Sequence, residues 1–145
     1  MDTPGTLTAT ERSLEWVRDA LEAQLQNYWK PPDEGIYHLY RDETFSLLDD
    51  PEAFRNYATV FRGMLDSTYS QDGYDCENYA FDLQSAFTRT RPFTNGVGVL
   101  MDFDMDHAFN VVLFSDGTVV RWEPQTADDV TDELRYRPST GVLVL

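Results

Sequence analysis

Apolar residues change their period near residue 90, and that change limits the architecture more than any other property of the chain. Before it they recur every three to four positions, as on one face of a helix. In "TATERSLEWVRDALEAQLQNYW", Thr8 and Glu11 stand at capping-box spacing and Leu14, Val17, Leu21, Leu25 and Tyr28 share a face, until Pro31 and Pro32 stop the run. Asp50 as cap and Pro51 at the first helical position announce a second helix carrying Phe54, Tyr57, Ala58, Phe61 and Leu65, which ends between Gly63 and Ser70. A third begins after Asp72 or Asp75 and carries Tyr79, Ala80, Leu83 and Phe87. Beyond "RTRPFTNG" the segments "VGVLMDF", "HAFNVVLF", "TVVRWEP" and "GVLVL" read as strands, the middle pair joined at "SDG". Helices first and strands second predict an α+β fold, with N-terminal helices, one bearing the cysteine, packed on a C-terminal antiparallel sheet. The 145 residues form one domain, a helical subregion over 1–70 followed by the cysteine helix and sheet over 71–145. "IYHLY" is a short strand in the connector, where His38 is structural, and the apolar "GVLVL" end is a candidate edge strand.

Charge sets the next limit. Asp and Glu number 26 against 11 basic residues, a net charge of -15, and only Lys30 is lysine. Such a surface repels itself until salt shortens the Debye length from about 10 Å at 0.1 M to about 3 Å at 1 M. The short carboxylates and scarce lysine resemble proteins of extreme halophiles and of haloarchaeal viruses, with an ordinary acidic protein as the alternative. No basic stripe exists to neutralise phosphates, so nucleic acid and anionic membrane surfaces are poor partners. The start "MDTPGTLTAT" lacks an apolar signal core, and no window reaches the roughly 20 apolar residues of a membrane span. The expected location is a high-salt cytoplasm, or a virion in which the protein is packaged.

Cys76 is the single cysteine, at the mouth of the third helix, so neither an internal disulfide nor a cysteine-based zinc site can form. A thiol there is either a small buried hydrophobe or a nucleophile favoured by the helix terminus. Asp75, Glu77 and Asp82 crowd it and oppose the thiolate. His107 opens one strand and Glu123 closes the next, giving the order cysteine, histidine, carboxylate. Parity decides whether the last two can meet. A two-residue turn at Asp116–Gly117 would put them on opposite sheet faces, whereas a three-residue loop over 115–117 with Gly117 left-handed sets Phe109 opposite Glu123 and His107 one diagonal step away. The three-residue loop, or an equivalent bulge, is expected.

"DCENYAFDLQ", "DHAFNVVLFSDG" and "WEPQT" together resemble the papain-like and transglutaminase-like cysteine peptidase clan. More narrowly they resemble the small protease domain that follows the lectin repeats of the fairy-ring mushroom agglutinin, and its phage-encoded free-standing relatives. The resemblance covers about residues 70–130. It implies a papain-like fold with Cys76 as nucleophile, His107 as general base, Glu123 orienting the imidazole, and Gln71 as an oxyanion donor. The expected activity is a cysteine hydrolase, a peptidase or acyltransferase, acting on a peptide or protein substrate in a cleft walled by Tyr74, Tyr79 and Trp122. No cofactor is required. Asp102, Asp104 and Asp106 in "DFDMDH" offer hard oxygen ligands, so calcium is a candidate ion, with a solvated acidic turn as the alternative. Other readings are a catalytically silent papain-like domain serving as a structural or assembly component of a haloarchaeal virus particle, and an acidic binder of a basic partner.

Overall fold

The computed structural model describes residues 7–25, 35–65 and 75–145. Along them run β1 (Ala9–Ser13), α1 (Leu14–Leu25), β2 (Ile36–Leu39), β3 (Thr44–Leu48), α2 (Pro51–Met64), α3 (Cys76–Thr88), β4 (Val97–Asp102), β5 (His107–Leu113), β6 (Val119–Glu123), β7 (Asp128–Asp129) and β8 (Gly141–Val144). A six-stranded sheet is ordered β2-β8-β4-β5-β6-β7, and β1 and β3 form a separate two-stranded ribbon.

α2 forms as its sequence dictates, with Pro51 at its start and the Asp50 side chain accepting from the Glu52 amide. α3 buries Tyr79, Ala80, Leu83 and Phe87. The N-terminal stretch differs from expectation. Residues 9–13 are a strand and the helix begins only at Leu14, where the Ser13 hydroxyl accepts from the Trp16 amide. Thr8 and Glu11 therefore do not make a capping box; β1 is held extended by antiparallel pairing with β3, and "TFSLL" becomes a strand through the same pairing. Tertiary partners override local propensity here.

The sheet also departs from the all-antiparallel expectation. β2 runs parallel to β8, so "GVLVL" lies inside the sheet, between β2 and β4. Nor are the helices gathered on one face. α1 packs through Val17, Leu21 and Leu25 against Phe109, Val111 and Leu143, while α2 and α3 cover the opposite face through Phe54, Leu83, Phe87, Val112 and Trp122.

The β5–β6 connection is the expected three-residue loop. Phe114 donates its amide to the Thr118 carbonyl, Gly117 has φ 92°, and Asn110 pairs with Trp122. A positive φ at that point needs glycine. α3 is fixed to the sheet by two buried amides: Gln84 Nε2 donates to Val97 O at 3.0 Å, and Asn110 Nδ2 donates to Ala80 O and Gly98 O, each at 3.0 Å. Those bonds set where the mouth of α3 lies.

Phe54 joins α2 to α3 and the hairpin, its ring 5.2 Å from Phe87, 5.9 Å from Phe114 and 5.5 Å from Trp122. Phe54→Ala is expected to lower unfolding free energy by about 3–5 kcal/mol in urea melts. A loss below about 1 kcal/mol would contradict this packing.

Candidate functional site

The end of the sheet where β5 begins and β6 finishes opens into a cleft of about 420 Å³ lined by Asp102, Met105, Asp106, His107, Glu123, Gln125, Thr126, Asp128, Arg135 and Tyr136. The hairpin loop makes this arrangement possible: with Asn110 opposite Trp122, Phe109 lies opposite Glu123, and His107 shares their face. His107 Nε2 meets Glu123 Oε1 at 2.5 Å.

Glu123 is 5% exposed. Its Oε1 also accepts from the Tyr136 hydroxyl at 3.1 Å, and Oε2 accepts from the Gln125 amide at 3.2 Å. A buried carboxylate is tolerated because donors converge on it. Burial and the neighbouring Glu123 charge push the Tyr136 phenol up to about 12, so it remains a donor at neutral pH. The His107 ring is held between Phe109 and Tyr136, with centroids at 6.3 and 6.1 Å. Arg135 lies over the Tyr136 ring at 4.9 Å. Of these partners, Tyr136 and Arg135 belong to "ELRYRP", which carries no pattern that could have marked them, because they reach the site only through the chain's return after β7.

Cys76 is placed differently. It is half-buried and packs with Met101 against Ala80, Val99 and Ala108, and the Ala108 amide points to its sulfur. Ala108 faces α3, whereas His107 and Phe109 face Tyr136. Among the described residues His107 and Glu123 are hydrogen-bonded, no hydrogen bond joins Cys76 to His107, and the sulfur meets the amide of Ala108, the residue after the histidine. Burial above all pushes the Cys76 thiol up, the charges of Asp75 and Glu77 add to it, and the Ala108 amide opposes it. Gln71 and Tyr74 lie outside the described residues. Tyr79 and Trp122, expected as walls of the cleft, are core residues at 1% and 2% exposure. His38 has a structural setting on β2, its Nδ1 2.7 Å from the Tyr40 hydroxyl, and burial lowers its pKa to about 4.

The three aspartates before His107 organise a turn. Asp102 Oδ1 accepts from the amides of Asp104 and Met105, and burial pushes its pKa up. Asp104 binds both Ser139 and Thr140, taking their amides and hydroxyls. Those bonds hold its carboxyl well below the usual carboxylate range. Asp106 adopts φ 50°, a left-handed position that Asp accepts more readily than most residues. Among the described residues no group of three or more His, Cys, Asp or Glu stands close enough to hold a metal ion.

Two predictions follow from this geometry. Iodoacetamide should alkylate Cys76 more slowly in the native protein than in urea at neutral pH; a faster native rate would show a thiolate that the local charges oppose. Asp104→Asn should lower the melting temperature at pH 7, and the difference should shrink below about pH 4. A depressed folded pKa stabilises above the unfolded value of about 3.9 and loses that effect as pH falls towards the folded value. A mutant gap that is the same at pH 7 and pH 2.5 would contradict the clamp.

A family model for the ricin-type beta-trefoil lectin C-terminal domain matches residues 7–145. No curated protein sequence matches the chain. Among solved structures, the PSL1a-E64 complex matches with TM-score 0.65 and 16% identity over 91% of this chain. Polyporus squamosus lectin bound to the human-type influenza-binding epitope Neu5Aca2-6Galb1-4GlcNAc matches with TM-score 0.62 and 15% identity, again over 91%. The chain spans about half the length of each, 50% and 49%. These matches overturn the papain-like expectations. The fold is the one shared with the matched halves of these two structures, and the family assignment replaces the cysteine peptidase clan. With it go the cysteine hydrolase activity, the peptide or protein substrate and the silent papain-like alternative. Among the described residues no helix is long and apolar enough to cross a membrane. By the match across residues 7–145, the chain belongs to the ricin-type beta-trefoil lectin C-terminal domain family.

Proposed function

We propose that the chain is a carbohydrate-binding domain of lectin class and that the cleft beside His107 receives the sugar. The cleft carries this reading: its volume of about 420 Å³ falls within the range of small-ligand sites, and its lining is dominated by directional polar groups. A sugar presents several hydroxyls, each both donor and acceptor, and buries little apolar area. Recognition therefore needs converging acceptors and donors held in fixed directions. Asp106 and Asp128 supply carboxylate acceptors, Gln125, Thr126 and Arg135 supply donors, and Met105 and Tyr136 supply apolar faces for ring C–H groups.

In this reading His107 and Glu123 are binding groups. Glu123 fixes the ring through Nε2, leaving Nδ1 for the ligand, and Tyr136 and the Gln125 amide hold Glu123 in turn. Cys76 contributes packing. The family assignment supports the reading, and the sugar contacts of this chain are the proposal. No cofactor is needed for such contacts; calcium at the aspartate turn stays open to test. A saline setting fits the net charge of -15.

Titration calorimetry on the purified chain with a neutral oligosaccharide should give a Kd between about 10 μM and 1 mM, unchanged by EDTA. His107→Gln should weaken binding about tenfold, equivalent to about 1.4 kcal/mol. Absence of binding at millimolar sugar, or an unchanged Kd in the variant, would contradict the assignment.

A further inference from the structure

We infer that the apolar groove between α2 and the end of α3 docks an acidic protein segment that presents an apolar side chain among carboxylates; the inference is independent of the cleft beside His107. The groove, of about 190 Å³, is lined by Tyr57, Val60, Phe61 and Met64 of α2 and by Phe87 and Thr90 at the end of α3. The four α2 residues stand at i, i+3, i+4 and i+7 and so form one stripe of the helix. Val60 and Met64 are 56% and 74% exposed, so the stripe runs out of the core that Phe54 and Ala58 join. The Thr90 hydroxyl already donates to the Phe87 carbonyl at 3.0 Å. A contiguous exposed apolar patch with a polar rim marks an interaction surface. An apolar cavity of about 150 Å³ holds a benzene ring, so this groove takes a single aromatic or branched side chain.

The rim sets the charge of the occupant. In a chain with 26 acids in 145 residues, neither 53–65 nor 83–101 contains one, and the two stretches carry four of the 11 bases, Arg55, Arg62, Arg89 and Arg91. Arg55 and Arg62 are engaged, with Asp129 at 2.8 Å and the Gln125 carbonyl at 2.7 Å. Arg89 and Arg91 flank Thr90 in the chain and are both exposed, and among the described residues neither guanidinium has a partner. Each can take a carboxylate through two parallel hydrogen bonds. A neutral apolar segment would leave both guanidiniums unanswered, and a basic one would meet like charge. The net charge of -15 repels an acidic segment at a distance, but at 0.15 M salt that field decays over about 8 Å, and charges in contact are screened less.

The test is fluorescence anisotropy at 0.15 M salt with three labelled peptides: "EEDFLDEE", its form without apolar residues "EEDSSDEE", and the basic form "KKKFLKKK". Each is titrated with the native chain, with Arg89→Gln/Arg91→Gln, with Val60→Ser, and with Arg18→Gln on α1 as a charge control across the sheet. All four positions are exposed, and thermal melts check that each variant is folded. The acidic apolar peptide should bind at least about tenfold tighter than either of the others. The double arginine variant should weaken it about tenfold and Val60→Ser about threefold, whereas Arg18→Gln should stay within about twofold of the native chain. Tightest binding of the basic peptide is what the net charge alone would give, and it overturns the proposal. Equal weakening by Arg18→Gln, or no binding of any peptide at millimolar concentration, overturns it too. Sedimentation and vesicle flotation read the other occupants. A native dimer that the double arginine variant loses assigns the groove to a second copy, and phosphatidylserine-vesicle binding lost in the same variant assigns it to a membrane surface; either result overturns the peptide site. The carbohydrate reading at His107 stands or falls separately.

Discussion

Glu123 is a buried carboxylate on which three donors converge, and the cleft depends on that convergence. The imidazole of His107, the phenol of Tyr136 and the amide of Gln125 come from β5, from the turn after β7 and from the loop after β6. Without them the charge would have to be solvated or neutralised, because an unpaired buried carboxylate costs far more than one exposed side chain can offset. The carboxylate thus ties three segments distant in sequence to one corner of the sheet. Its position is set in turn by the loop at Ser115–Gly117, whose three residues determine which face of β5 meets Glu123. A register shifted by one residue would turn His107 to the other face and leave Glu123 with one partner fewer.

The same parity gives the thiol and the imidazole different neighbours. Cys76 packs on the face of the sheet that α3 covers, against Ala108, while the ring one residue earlier turns towards Phe109 and Tyr136. A helix mouth favours a thiolate, but burial and two neighbouring carboxylates win here and the thiol is pushed up. Nearness along a strand is thus a poor guide to shared chemistry; the ring's hydrogen-bond partners are a better one.

Much of the core was legible because it is periodic. Leu14 to Leu25 and Cys76 to Thr88 show their buried stripes directly; in Pro51 to Met64, Phe54 and Ala58 are buried as expected while Tyr57 is exposed, and the parity argument at "SDG" brings His107 to Glu123. What was not legible depended on partners far along the chain. "ATERS" carries a helix-start pattern and becomes a strand only because β3 lies beside it. "GVLVL" looks like a free edge until β2 pairs with it in parallel. Tyr136 and Arg135 carry no periodic or motif signal, and they complete the cleft only after the chain has turned back past β7. The peptidase resemblance rests on short motifs around a cysteine, a histidine and a glutamate, whereas the family match spans residues 7–145 and lies with the ricin-type beta-trefoil lectin C-terminal domain.

The most direct test is a crystal structure of the chain with a bound neutral oligosaccharide. The account predicts sugar density between Asp106, Asp128 and Arg135, with a ring hydroxyl on His107 Nδ1 and the 2.5 Å contact from Nε2 to Glu123 kept. Sugar bound elsewhere on the chain, or a His107 ring swung away from Glu123 onto the Cys76 sulfur, would contradict it.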